Sequence, residues 1–350
     1  MIVLRTLLPW LMALAFLVTG AAAQEMEDRA EFGSGETRLL LRSTTDIAIL
    51  RPVIQLFADQ NPDLTIVYEQ WGSNDLFALS RAGCREESEP ADAVFSSAVQ
   101  HMVWLVNAAC ARQVQSPLAS ALPPARRWRN ELWGITTEPA VIVYNKAAIS
   151  GAEVPRTRFA LLDSMRTRPE FFRGRIATYD IGASGLGFLF AYADSLEATS
   201  FGSLLEGFAR IEAVATCCSA EIIRGVAEGR YLMAYNVLGS YVLGDQSGEI
   251  GFILPEDYTL LLSRAYMIPR QARQPEAAER LLDFLLSTPV QAQLADAGLV
   301  SPIDDAENGL APSARRFIPL SPALLVAMDR NRRAALFAIW DDAFRRATGP

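Results

Sequence analysis
Arg38-Leu39-Leu40-Leu41-Arg42 followed at once by Ser43-Thr44-Thr45-Asp46 is the stretch that decides the fold. A short apolar run of strand length passes directly into hydroxyl and carboxylate residues suited to cap a helix. Ile47, Leu50, Ile54 and Phe57 then fall on one face of a helix, which Asn61-Pro62-Asp63 stops. Leu64 to Glu69 alternates as a second strand, and the loop Trp71-Gly72-Ser73-Asn74-Asp75 leads into a helix running through Arg81. Ala91-Asp92-Ala93-Val94-Phe95-Ser96-Ser97 reads as a third strand ending in two hydroxyls, with a helix from Ala98 to Ala111 behind it. Strand and helix alternating through short loops predict an α/β fold, a mixed and mostly parallel sheet wrapped by helices. Ligands of such sheets bind beyond the carboxyl ends of the strands. Ser43, Thr44, Thr45, Trp71, Ser73, Asn74, Ser96 and Ser97 stand there and are candidate ligand contacts. Each hydroxyl also fits a plain helix cap.

The middle of the chain repeats the pattern. Ala140-Val141-Ile142-Val143-Tyr144 is a buried strand, and Pro155 to Ser164 reads as a loop and helix. Arg175 to Asp180 is a strand that turns through Ile181-Gly182-Ala183-Ser184-Gly185-Leu186-Gly187 into the helical run Phe188 to Asp194. A glycine-rich turn lets backbone N–H groups approach an anion at a helix N-terminus, which marks Ser184 and Gly185. Ser219 to Glu228 reads as a helix and Tyr231 to Tyr235 as a strand, with Tyr235, Asn236 and Ser240 at another polar strand end. Two similar lobes result.

Composition narrows the chemistry. The chain has 350 residues, 51% hydrophobic and 21% charged, enough to bury a sizeable core, and a net charge of −8 that gives no basic surface for nucleic acid. It holds one histidine, His101, and one lysine, Lys146. Lys146 lacks the glycines of a phosphate-binding loop. Gly182-Ala183-Ser184-Gly185-Leu186 lacks the last glycine of a hydrolase nucleophile turn, and no histidine follows it to act as base. Cysteines at 84, 110, 217 and 218 have no zinc-site spacing. A secreted carboxylate-based hydrolase is the rival of another class; no particular acid pair stands out for it.

Residues 1–23 carry Arg5, an apolar run from Thr6 to Val18 and Ala21-Ala22-Ala23, the pattern of a secretory signal cleaved after Ala23. Residues 24–36 are acidic and without periodicity, which suits a flexible leader. An oxidising compartment makes Cys84–Cys110 the favoured disulfide, tying the ends of two helices, while adjacent Cys217 and Cys218 are either bonded to each other or unbonded and buried. Ser321 to Arg346 carries the pattern of one long amphipathic helix, with an Arg330 and Arg332-Arg333 cluster on its polar side.

On these residues the chain resembles the periplasmic solute-binding proteins of ABC importers, in the two-lobe type II branch that includes ferric-iron and phosphonate binders. The opening strand with Ser43-Thr44-Thr45, Ala91 to Ser97, and Val141-Ile142-Val143-Tyr144-Asn145 stand in that family's order. Most specific is Gln274-Pro275-Glu276-Ala277-Ala278-Glu279-Arg280-Leu281-Leu282-Asp283-Phe284-Leu285-Leu286-Ser287 with Pro289-Val290-Gln291, which looks like the family's late helix pair. The resemblance implies lobe I from 37–137 and 257–315, lobe II from 138–256, a C-terminal segment 316–350, and a cleft that closes over a ligand. Ferric binders of this branch carry adjacent tyrosines after the strand matching Leu232 to Asn236; here Val237-Leu238 stand there. The expectation is therefore a monomeric periplasmic protein, not an enzyme and without cofactor or metal. It would capture a small organic anion, a carboxylate, phosphonate or phosphate ester, for an ABC permease or, alternatively, for a membrane sensor kinase. Arg42 and Arg224 are candidate anion partners.

Overall fold
The computed structural model describes residues 25–197, 199–243, 247–301 and 310–345, so the signal-like stretch lies outside the described residues. Its strands are β1 (Met26–Gly33), β2 (Thr37–Ser43), β3 (Leu64–Trp71), β4 (Ala93–Ser96), β5 (Arg127–Trp128), β6 (Leu132–Gly134) and β7 (Glu138–Asn145). Then come β8 (Ile176–Tyr179), β9 (Val214–Thr216), β10 (Met233–Leu238), β11 (Ile250–Ile253), β12 (Thr259–Leu262), β13 (Ala265–Met267) and β14 (Arg315–Phe317). They make two mixed sheets, β1-β3-β2-β4-β13-β6-β5 and β14-β12-β7-β10-β8-β9, with β11 added on β7. The parallel core is β3-β2-β4 in the first lobe and β10-β8-β9 in the second, flanked by antiparallel strands. This is the expected two-lobe α/β architecture.

The chain passes between lobes at 135–138, where β6 gives way to β7, and again at Ser263-Arg264 between β12 and β13. The second passage falls later than the expected boundary at 256, because Thr259–Leu262 pairs with β7 in the second sheet. β14 joins that sheet as well, so the chain returns to lobe II before its C-terminal helices.

Helices bury the faces that the periodicity marks. Ile47–Gln60 buries Ile47, Leu50, Ile54 and Phe57, and Pro275–Leu286 starts on Pro275 and buries Ala278, Leu281, Leu282 and Leu285. Each such leucine contributes about 2 kcal/mol by leaving water. Cys84 and Cys110 are bonded and join the ends of Ser73–Cys84 and Val99–Asn107. No helix among the described residues is long and apolar enough to cross a membrane.

Two local expectations are corrected. Met26–Gly33 is not a flexible leader but an edge strand antiparallel to β3, anchored by buried Phe32 and covering β3's otherwise unpaired edge. Ser321 to Arg346 is not one helix. It breaks at Met328-Asp329 into Leu324–Ala327 and Arg330–Arg345, and the Asp329 carboxylate accepts the N–H groups of Asn331 and Arg332 to start the second piece. The first piece lies on the lobe I helix Val99–Asn107, the second on the lobe II helix Phe201–Arg210.

Candidate functional site
The carboxyl ends of β2, β3 and β4 face those of β8, β9 and β10 across a cavity of about 280 Å³. Of the residues expected to contact ligand, Thr44, Trp71, Ser73, Ser97 and Ser184 line it. Thr44 and Ser97 are tied together: Ser97 N–H donates to Thr44 Oγ1 at 3.0 Å, and the two hydroxyls lie 3.1 Å apart. Ser184 starts the helix Gly185–Glu197 and accepts from the Gly187 N–H at 3.0 Å.

The other candidates point elsewhere. Ser43 and Ser96 accept from the N–H groups of Thr45 and Ala98 and act as local turn caps. Thr45 and Ser240 belong to a fully buried ion-pair network beneath the cavity. There Arg264 forks onto Glu138, at 2.7 Å from Nε and 3.1 Å from Nη2, and donates to Thr45 Oγ1 at 2.8 Å, while Ser240 donates to Glu138 at 2.6 Å. Tyr235 and Asn236 donate to Asp194 at 2.7 and 2.6 Å inside lobe II. A bulge in the β10–β7 ladder puts Asn236 at φ 54° and turns its side chain toward Asp194. Arg42 is buried against Glu69 and does not reach the cavity, and Arg224 does not line it.

Asn74 and Gly185 hold the lobes shut. Asn74 Nδ2 donates to the carbonyls of Gly182 and Ala183 at 2.9 Å each, Gly185 N–H donates to Ser73 Oγ at 2.8 Å, and Gln100 donates to Gly185 O at 2.6 Å. A Cβ on Gly185 would stand 2.4 Å from His101 Cε1 and 3.2 Å from Asn74 Oδ1. Gly185→Ala is therefore expected to weaken closure and lower ligand affinity at least about tenfold, the equivalent of 1.4 kcal/mol of overpacking. Titration calorimetry against the wild type checks this; unchanged affinity refutes it.

His101 is buried beside that contact, stacked on Phe77 at 4.3 Å, with Nδ1 unpartnered. Burial first, then the Arg333 charge, push its pKa down to about 3. The unfolded chain takes up a proton below about pH 6.5 while the native state does not, so stability present above that pH drains away as pH falls toward 3. The loss is about 1.4 kcal/mol per pH unit, about 2 kcal/mol by pH 5. Urea unfolding at pH 7 and 5 measures it. His101→Gln should remove that part of the slope, and an identical slope in the variant would sink the assignment.

Several cavity residues escaped the sequence reading. Asp46 was expected to cap Ile47–Gln60, but Gln70 Oε1 accepts the Ile47 N–H instead. The Asp46 carboxylate is thereby left facing the cavity, where Tyr241 OH donates to it at 2.9 Å from the other lobe. Three-residue β9 is followed by Cys217 and Cys218 and then by Ser219, the first residue of the next helix; the two cysteines are bonded to each other and form part of the wall. β1 brings Glu27 to the rim, where it accepts from Gln70 at 2.9 Å.

Two features set the electrostatics. The charged side chains on the cavity wall, Glu27, Asp46 and Asp75, are all acidic. Against them, Ser73–Cys84 from lobe I and Ser219–Ala227 from lobe II both begin at the cavity with no side chain capping their N-termini. Uncapped N-termini aim unpaired N–H groups and the positive end of the helix dipole at whatever fills the space.

The family model described as bacterial extracellular solute-binding protein matches residues 109–320. Among solved structures, the substrate binding protein of an ABC transporter from Agrobacterium tumefaciens is similar with a TM-score of 0.85 and 30% identity, over 92% of this chain and 99% of that one. AfuA from Actinobacillus pleuropneumoniae, with fructose-6-phosphate bound, has a TM-score of 0.68 and 16% identity over 89% of this chain and 99% of that one. Iron-bound HitA from Pseudomonas aeruginosa has 0.64 and 17% over 88% and 99%. The last two show the fold alone. No curated protein matches the chain. With a family model over more than half its length and a 30% identical relative over nearly all of it, the chain belongs to the bacterial extracellular solute-binding proteins, in their two-lobe type II form.

Proposed function
We infer that the protein captures a small hydroxylated organic anion, a phosphate ester or hydroxy acid, in the periplasm and presents it unchanged to an ABC importer. The observation that carries this is the cavity's mixed polarity. Two uncapped helix N-termini, one from each lobe, suit an anionic group. Asp46 and Glu27 suit ligand hydroxyls, since a carboxylate has about four acceptor sites and Asp46 spends one oxygen on Tyr241 and Gln70. A ligand held from both lobes stabilises the closed arrangement by its contacts to each. The relative from Agrobacterium tumefaciens is a transporter's binding protein, and AfuA holds a sugar phosphate. Ferric iron is a poorer fit, because burial pushes Tyr179 up to about 12 and raises Tyr241 as well, so both phenols resist becoming phenolate ligands.

Thermal unfolding of the full chain with hexose phosphates, hydroxy acids, inorganic phosphate and ferric citrate tests the reading. A ligand at 100 times its Kd adds about 2.7 kcal/mol of stability. Hydroxylated anions are expected to stabilise, to be recovered unchanged, and to lose about tenfold in affinity in Asp46→Ala and in Ser97→Ala. Stabilisation by ferric ion alone, or turnover of the added compound, would overturn it.

A further inference from the structure
A second cleft, of about 500 Å³, lies between the lobe I helices and the C-terminal segment and shares no wall residue with the interlobe cavity. Phe77, Arg81 and Trp104 form one side; Arg330, Arg333 and Phe337 form the other. No acidic residue lines it, although acidic residues outnumber basic ones 40 to 32 in the chain. Among the described residues none of its three arginines has an ion pair, as with Arg51, Arg129 and Arg224 elsewhere and unlike Arg173 and Arg280, and here three such groups converge on one cleft.

The guanidinium groups are laid on rings. Arg81 sits 5.1 Å over Trp104 and 5.5 Å over Phe77, and Arg333 sits 4.8 Å over Phe188 and 5.5 Å over Phe337. Stacking of this kind fixes the plane of a guanidinium and leaves its N–H edges available for forked contacts to an anion. Arg81 Nε is buried without any acceptor, an orphan donor in the wall. Burial lowers the Arg333 pKa with no carboxylate to offset it, and the same charge helps depress His101. The acidic neighbour Asp329 is turned to the N–H groups of Asn331 and Arg332 and does not line the cleft, whose volume is that of a small-molecule site.

We propose that this cleft is a second binding site, for a small aromatic anion whose carboxylate or phosphate meets Arg81, Arg330 and Arg333 while its ring lies on the Phe77–Trp104 surface. The site stands independently of the ligand class assigned to the interlobe cavity. Its two sides belong to lobe I and to a helix packed on lobe II. An occupant therefore bridges the lobes and favours the closed arrangement, and by linkage each ligand tightens the other.

Titration of the full chain with benzoate, phenyl phosphate and acetate tests this. Benzoate and phenyl phosphate are expected to bind saturably, and acetate at least tenfold more weakly. The double variant Arg81→Gln/Arg333→Gln should weaken both aromatic anions at least tenfold while remaining cooperatively folded at the titration temperature, and Arg81→Lys/Arg333→Lys should recover part of the loss. Absence of saturable binding, acetate binding as tightly as benzoate, or full affinity in the glutamine variant would each overturn the proposal. The last of these would send the probes to the interlobe cavity without touching the reading of that cavity.

Discussion

Glu138→Gln is expected to lower the unfolding free energy by about 3–5 kcal/mol, the usual cost of removing one partner from a buried ion pair. Glu138 and Arg264 are both wholly buried, on the two segments where the chain passes between lobes. The carboxylate accepts from Arg264 Nε and Nη2, from Thr136 Oγ1 at 2.8 Å and from Ser240 Oγ at 2.6 Å, so its acceptor sites are filled. Burial alone would lower the Arg264 pKa; the Glu138 charge outweighs it and raises the pKa above its ordinary value. An amide in place of the carboxylate keeps one acceptor oxygen but removes the neutralising charge, and its NH2 meets groups that donate, so a full guanidinium charge is left uncompensated in a dry site. The contrast is the double variant Glu138→Met/Arg264→Met, which should recover most of the loss because two apolar side chains of similar length need no desolvated charge. Urea unfolding of the singles and the double gives the coupling energy. A loss under about 1 kcal/mol in Glu138→Gln, or a double variant as weak as the single, would mean that the pair does not set stability at the crossing.

The alternation of strand and helix in both lobes was legible because it rests on local periodicity, and the helix Pro275–Leu286 because proline and an apolar face both mark it. The cavity was half legible. Hydroxyls at strand ends are visible as residue types, but which of two neighbours faces the cavity depends on the turn: Thr44 does, while Ser43 caps the turn beside it. Tyr235, Asn236 and Ser240 turn to buried carboxylates for a different reason. Their partners Asp194 and Glu138 lie 41, 42 and 102 positions away, and nothing local announces such pairing. An aspartate directly before a helix ordinarily caps it, yet beside Asp46 the role falls to Gln70, 23 positions on from Ile47. β1 has a single buried apolar anchor and is ordered by the edge it covers, a property of β3 rather than of its own sequence.

Asp194→Ala is the companion experiment inside lobe II, with an expected loss of about 3–5 kcal/mol. Asp194 is almost fully buried on the helix Gly185–Glu197, and its two oxygens accept from Arg158 Nη2 at 3.3 Å, Tyr258 OH at 2.8 Å, Tyr235 OH at 2.7 Å and Asn236 Nδ2 at 2.6 Å. Truncation leaves the two tyrosine hydroxyls and the Asn236 amide without their acceptor and takes away the buried one of the two carboxylates that face Arg158, and these losses rather than the missing side chain set the cost. The nearby Asp257 isolates the point. It also pairs with Arg158 at 3.3 Å but is 30% exposed, so water can replace it and Asp257→Ala should cost no more than about 1 kcal/mol. Equal losses in the two variants would show that the network is not read by burial. Because Asp194 fixes the helix whose first residues carry Ser184 and the Gly185 closure contact, the folded fraction of Asp194→Ala should also bind ligand more weakly than Asp257→Ala. Calorimetry on both variants at a temperature where each is folded separates that positional effect from simple loss of native protein.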